Sequence, residues 1–396
     1  MPRQVIRTLA ILSITQILDW AFLFYAFALW APRIMAETGW SDTVVFGGYS
    51  FALLTSGLAA PLAGRMVDRH GGRPVMGGGT LIGAAGLILL ASSTQPLTYG
   101  LAFGLIGIGM AGALYDPAFA TLTQVAGPQA RRAISTLTLA GGFASTLAWP
   151  LTLWLLHALD WRQIALLYAG VLIILCTPLH LWGLPGRNSQ PPPPKALRPA
   201  AAPLVEQPRV RGPEWHALGL FALVIMAHGF VTSAFSVHII HALDAWGLEE
   251  ALAVTAGACV GPAQVLARWI EMMFGRAVPA LTLGLIAVGL LPLAFIGLLA
   301  SHPSLTSAVI FALIYGASNG LLTIVRGVVP LALFGPEGYG RRLGLVSAPA
   351  LAVKAGAPMV MGAVLTGHGV GSVLWIGLGC AVLAFIAMVA LDRMQR

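Results

Sequence analysis

Long apolar runs, interrupted by short stretches rich in charge, Gly or Pro, account for most of the chain. Six runs can be marked at 5–31, 44–66, 74–93, 97–125, 134–158 and 162–184. Six more follow at 214–242, 249–273, 279–300, 304–334, 344–366 and 370–391. Each is about the 20 residues that a helix needs to cross a hydrocarbon layer roughly 30 Å thick. Between the sixth and seventh, Pro185 to Pro213 carries nine prolines, including the Pro191–Pro194 run. A proline-dense stretch is extended and cannot pack a core, so it separates two sets of helices. The pattern predicts an all-α membrane protein of twelve transmembrane helices. It divides into an N-terminal six-helix bundle over 1–184, a Pro-rich linker over 185–213 and a C-terminal six-helix bundle over 214–396.

Composition agrees with the pattern. Charged residues make up 9% of the chain and hydrophobic residues 58%, whereas a soluble domain carries about 25% charged residues to face water. The net charge of +8 would suit nucleic acid if it were clustered on one surface, but its distribution argues otherwise. With the N-terminus inside, seventeen of the 22 Lys and Arg residues fall on the cytoplasmic side. Only Arg33 and Arg162 fall outside, and Arg268, Arg326 and Lys354 lie within predicted helices. This positive-inside bias predicts a plasma (inner) membrane protein with both termini cytoplasmic and anionic lipid, not nucleic acid, as the partner of its basic loops. Arg3 and Arg7 precede an apolar run, as in a signal peptide, but that run holds Gln16 and Asp19 and no small-residue cleavage site. It is expected to be a retained first helix. Cys176, Cys259 and Cys380 lie far apart in apolar runs and read as buried hydrophobes. No phosphate-binding loop is present, and Lys195 and Lys354 are the only lysines, which argues against an ATP motor. No cofactor or metal is expected, and an enzyme is disfavoured because no nucleophile–base pair emerges.

The two halves repeat. The junction of the second and third helices reads Gly64-Arg-Met-Val-Asp68-Arg-His-Gly-Gly72-Arg73, and that of the eighth and ninth reads Ala267-Arg-Trp-Ile-Glu271-Met-Met-Phe-Gly275-Arg276. Small residue, acid, Gly and Arg recur in one register. Gly127-Pro128 with Arg131-Arg132 is echoed by Gly335-Pro336 with Arg341-Arg342. Parallel repeats of six helices belong to one transporter architecture. Gly64 to Arg73 resembles the signature loop of the major facilitator superfamily, G-x-x-x-D-R-x-G-R-[RK], with Gly72 where Arg is usual. The resemblance implies twelve helices, alternating access, a monomer, and a conformational latch at the cytoplasmic helix ends. Asp68 and Arg73 would form that latch, with Arg268, Glu271 and Arg276 as its counterpart in the second half. A structural role, capping helices and satisfying topology, stays open for the same charges.

An ionisable side chain at mid-helix costs about 2.5–3.5 kcal/mol on insertion scales, so each calls for a partner or a wet cavity. In the N-terminal half these are Asp19, on a face with Thr15 and Gln16, and Asp116, between Tyr115 and Pro117. A proline inside a helix frees a backbone carbonyl, as is common near transporter sites. The C-terminal half carries cations instead. Arg326 shares a face with Tyr315, Asn319 and Thr323, and Lys354 lies among Ala352, Ala355, Gly356 and Ala357. Arg326, Lys354, Asn319 and Tyr315 are the candidate substrate-binding residues for an anion. Asp19, Asp116 and His228 are the candidate proton-coupling residues. Salt bridges between the halves are the alternative for the charges, and a hydrogen-bonded structural role for His228. Trp149 and Trp154 flank Pro150 and either line a cavity or pack against lipid.

A lone cation in the eleventh helix and Gly39-Trp40-Ser41 before the second resemble the oxalate/formate and monocarboxylate branches of the superfamily. The expected function is proton-coupled transport of a small organic anion, a carboxylate in the first instance. The fifth helix, Gly141 to Pro150, departs from the Gly-Pro-rich pattern of the drug/proton antiporters. Drug efflux and a non-transporting receptor remain the alternatives.

Overall fold

The computed structural model describes residues 1–186 and 214–395, with Arg276 described in its backbone only. The predicted linker therefore lies, apart from its first two residues, outside the described residues.

All regular elements among the described residues are helical. Ten continuous apolar runs are long enough to cross a membrane, and two of them contain two crossings each. Pro96–Leu155 breaks at a 3-10 turn, Gly127–Gln129, where Gly127 adopts φ 51°. Tyr339–Arg393 breaks at Gly369, with φ 77°, a conformation that glycine adopts without a Cβ penalty. Counting these as fourth and fifth, and as eleventh and twelfth, gives the twelve helices expected.

The other eight are the first (Arg3–Thr38), second (Asp42–His70), third (Gly72–Ala91), sixth (Trp161–Gly183), seventh (Glu214–Ala245), eighth (Glu250–Phe274), ninth (Ala280–Leu299) and tenth (Leu305–Phe334). The first runs seven residues beyond its predicted end because Pro32 is accommodated inside it. It stops where Gly39 turns left-handed and donates its N–H to Met35.

Lipid tails are as apolar as leucine, so these helices gain little by hiding side chains from one another, and close van der Waals packing replaces that driving force. Small residues make it possible. A Cβ on Gly109 of the fourth helix would lie 2.5 Å from the Cα of Gly83 on the third, so the two backbones touch at that level. In the seventh, ninth and tenth helices a cluster of Phe235, Phe295, Phe311 and Tyr315 fills the space, with edge and tilted ring contacts at 5.2–6.2 Å.

The chain forms two compact units. One comprises the described residues of Met1–Arg209 together with Pro330–Ala348, and the other Val210–Val329 with Pro349–Arg396. The division departs from the sequence expectation for 214–396 at one segment, since the end of the tenth helix and the start of the eleventh pack with the first unit. Its edges fall at Pro330 and Pro349, each of which lies inside a helix and lacks the N–H for the i−4 bond.

Candidate transport sites

In the first unit, the signature-loop acid closes a helix end. The eleventh helix begins at Tyr339, so the N–H groups of its first residues have no intrahelical acceptor. Asp68 supplies one. Its Oδ1 accepts from the Gly340 N–H at 2.9 Å and its Oδ2 from the Arg341 N–H at 2.8 Å. A carboxylate there also meets the positive end of the helix dipole. The helices come close enough because Cβ atoms are missing on both. A Cβ on Gly340 would lie 2.9 Å from Asp68 Oδ1, and one on Gly344 would lie 2.7 Å from the Cα of Pro61. Asp68 is thus satisfied by backbone donors of the eleventh helix, where the sequence suggested the Arg73 side chain. Gly72, the departure from the signature loop, packs on Thr121, and a Cβ there would lie 2.7 Å from the Thr121 methyl carbon. A side chain there would require Thr121 to move.

Deeper in the same unit, Asp19, Gln16 and Thr15 are fully buried on one face of the first helix, as the spacing predicts. Pro117 has no N–H to offer the carbonyl of Ala113, four residues earlier, and the fourth helix breaks at Leu114 with ψ −157°. Gln16 takes that carbonyl, donating from Nε2 at 2.6 Å. Asp116, half-buried, occupies the first turn of the helical segment that restarts at Tyr115. Asp19 instead faces the sixth helix, where His180 Nε2 lies 4.0 Å from its Oδ2 and both side chains are fully buried. The other imidazole nitrogen lies 3.0 Å from the Thr80 hydroxyl of the third helix. The sequence reading did not single out His180. It lies inside the sixth apolar run, two residues after Pro178, and the argument applied to mid-helix charges applies equally to it.

Arg162 ties the C-terminal ends of the first and third helices to the N-terminal end of the sixth. It pairs with Glu37 at 3.0 Å and donates to the Ala91 and Ser93 carbonyls at 2.8 and 2.7 Å. Trp161 donates to the second Glu37 oxygen at 2.6 Å. Trp149 and Trp154 of the fifth helix are 48% and 68% exposed, and Trp149 lines a cavity with Leu29, Ser145, Thr146, Pro150 and Leu153.

In the second unit, His228 of the seventh helix is buried, and its Nε2 lies 3.0 Å from Ser318 Oγ. Ser318 donates to the Ala287 carbonyl at 2.7 Å, so its oxygen accepts from the ring, and the neutral imidazole carries its proton on Nε2. Lys354 lies against Gly229, where a Cβ would meet its Cε at 2.9 Å, and within electrostatic reach of His228. Ser233 ties the two helices by donating to the Lys354 carbonyl at 2.8 Å. The structure therefore joins Lys354 to His228, a pair that the sequence assigned to separate roles.

Tyr315 is buried in the aromatic cluster and donates to the Thr232 carbonyl at 3.3 Å. Asn319 is half-buried, and its main-chain carbonyl accepts from the Thr323 hydroxyl at 3.0 Å. Arg326 is half-buried and partnered. Arg268, assigned by the sequence to the second-half latch, is buried and reaches the tenth helix. It donates to the Gly320 carbonyl and to the Thr323 hydroxyl, each at 3.2 Å. It thus shares the Asn319–Thr323 face. Glu271 is buried and folds onto Gly275, where a Cβ would lie 3.0 Å from its Oε1. The Arg276 side chain lies outside the described residues.

A family model for the Major Facilitator Superfamily matches residues 9–325. The multidrug resistance protein MdtH of Aeromonas hydrophila subsp. hydrophila is 33% identical over 153 residues, 38% of this chain and 38% of that protein. The chain spans about two fifths of the length of the MdtH relatives it matches. Human monocarboxylate transporter 11 is 29% identical over 328 residues, 79% of this chain and 66% of that protein. Two crystal structures share the fold. The human organic anion transporter MFSD10 has a TM-score of 0.74 at 15% identity, covering 98% of this chain and 100% of the other. The transporter FucP in the outward conformation has a TM-score of 0.73 at 12% identity, covering 98% and 99%.

Proposed function

The chain belongs to the Major Facilitator Superfamily, and we propose that this multi-pass membrane transporter moves a small organic anion, a carboxylate in the first instance, coupled to protons. Transport is the activity of the family and of its structural neighbours, which are not enzymes. The observation that carries the anion reading is Lys354, a cation within a membrane-spanning helix, seated against Gly229 beside the buried His228. A charge so placed is retained for function more often than for stability. Arg326 and Arg268, on the Asn319–Thr323 face, add positive potential in the same unit. The likeness to monocarboxylate transporter 11 and to an organic anion transporter supports the same substrate class. Asp19, with Asp116 as second candidate, would carry the coupling proton, because a buried carboxyl can exchange its charge for a proton as the site opens and closes. The chain works as a monomer in a bacterial-type inner membrane, with both termini cytoplasmic.

The test is thermal-shift binding of small carboxylates, aromatic acids and cationic drugs to purified wild type and Lys354→Ala. A carboxylate should raise the unfolding temperature of wild type and not of Lys354→Ala. It should also be taken up by proteoliposomes when a pH gradient is imposed. The likeness to MdtH favours a second reading, drug efflux. On that reading cationic amphiphiles would stabilise both proteins equally, and the carboxylates neither.

A further inference from the structure

We propose that Asp19 and His180 form one proton-binding site in the first unit, with Thr80 holding the imidazole so that its Nε2 faces the carboxyl group. The inference names the proton site of the coupled transport proposed above and rests on that reading.

The hydrogen-bond direction follows from the network. Thr80 donates its hydroxyl hydrogen to the Met76 carbonyl at 2.9 Å. Its oxygen then has only lone pairs left for His180, so Nδ1, at 3.0 Å, is the donor. A neutral His180 therefore presents an unprotonated Nε2 to Asp19 Oδ2, 4.0 Å away. Neither Asp19 oxygen nor His180 Nε2 has a hydrogen-bond partner. Two lone-pair acceptors facing each other in a buried site repel if Asp19 is ionised, and one added proton removes the repulsion. That proton makes Asp19 a carboxylic acid aimed at Nε2, or His180 an imidazolium facing a carboxylate. The two forms share a proton count, so the pair titrates as a unit. Closing the gap by about 1 Å turns the contact into a hydrogen bond.

On the same two helices, Gln16 Oε1, Trp20 Nε1 and Thr177 Oγ1 are also buried without a hydrogen-bond partner. Cys176, one turn before His180, is buried with its thiol in electrostatic reach of Asp19. Gln16, one turn before Asp19, is committed to the Ala113 carbonyl. The fourth helix contributes Tyr115 and Asp116, both partnered. Among the described residues, the ion-pair partner of Asp19 is His180.

The backbone singles out the same two positions. The first helix widens into a π-turn, Ala21–Tyr25, two residues after Asp19, with the Ala26 N–H bonded to the Ala21 carbonyl at 2.9 Å. The sixth widens at Leu172–Cys176 and again at Leu179–Gly183, which contains His180. Each extra residue turns the following side chains by about 100°, and such turns gather at working sites. In the cycle, water on one face gives up a proton that adds to the pair as O–H or N–H. The proton leaves to water on the other face when the site reopens.

The test is infrared difference spectroscopy of purified, substrate-free protein across a pH ramp, reading the carboxyl C=O and imidazolium ring modes. Wild type should take up one proton in a step whose signals are lost in Asp19→Asn. His180→Gln should bind that proton about tenfold more weakly, one pH unit of midpoint. Thr80→Val should also move the midpoint, and Thr80→Ser should restore it, which keeps the test open if the histidine variant fails to fold. A His180→Gln or Thr80→Val protein that titrates Asp19 at the wild-type midpoint would overturn the proposal. Uptake by wild-type proteoliposomes separates the two levels. If a pH gradient drives uptake while the spectra show no linkage, this site is wrong and the coupled reading stands. If no gradient drives uptake, the coupled reading fails, whatever the spectra show.

Discussion

Gln16 shows how one side chain can offset a defect in another helix. Pro117 leaves the Ala113 carbonyl without its helical partner, and the Gln16 amide fills the place at 2.6 Å. Gln16→Leu keeps the volume and removes the donor, leaving a buried acceptor unsatisfied at a cost of about 1–3 kcal/mol. The unfolding temperature in detergent should fall. In a Pro117→Ala background, where the chain can supply its own N–H, the loss should be smaller; equal losses in both backgrounds would sever Gln16 from Pro117. The sequence made half of this visible. A proline inside an apolar run and a glutamine beside Asp19 both stand out, but their pairing spans 97 residues and has no local signature. His180 was hidden for a related reason. Its importance depends on Asp19 and Thr80, which come from two other helices, and a lone histidine near the end of an apolar run reads as a structural group.

At the scale of elements, hydropathy and Gly/Pro punctuation located the long apolar helices of the described residues, because a spanning helix must satisfy its backbone internally over a fixed length. The same pattern could not distinguish an α-turn from a π-turn, since both are uniformly apolar, so the widened turns beside Asp19 and at His180 appear only in the structure. The signature loop was legible as a motif, but its mechanics were not. Its acid binds main-chain donors of the eleventh helix, and main-chain donors carry no residue identity to search for. This makes a specific prediction. Asp68→Asn keeps one carbonyl acceptor and loses the charge, whereas Asp68→Ala loses both. Asp68→Ala should therefore cost about 1–2 kcal/mol, the scale of a lost cap, and Asp68→Asn about half as much by thermal unfolding. If Asp68→Asn and Asp68→Ala are both as stable as wild type, the cap contributes nothing. Gly344→Val should be worse than either, because its side chain would meet the Ala60 and Pro61 backbone, which cannot move aside as a side chain can. Failure to recover a folded monomer by size exclusion is the expected outcome.

At the scale of the whole molecule, the remaining prediction concerns orientation, which rests on charge alone. Asp68, Arg131 and Arg341 lie at junctions after an even number of crossings counted from the N-terminus, whereas Glu37 and Arg162 follow an odd number. The side of the first group, with the two termini, holds seventeen of the 22 Lys and Arg residues. Lys and Arg resist transfer across an energised membrane, so the rule assigns their side to the cytoplasm. The Arg162–Glu37 tie is consistent with this assignment. The outward junctions keep few cations, and Arg162 is neutralised by Glu37 while capping the Ala91 and Ser93 carbonyls. A green fluorescent reporter fused after Arg396 should fluoresce, because it folds only in the cytoplasm, and alkaline phosphatase at the same place should be inactive. The reporters should exchange behaviour when the chain is cut after Gly39. Active phosphatase at Arg396 would invert the molecule. The signature loop and its Asp68 cap would then face outward.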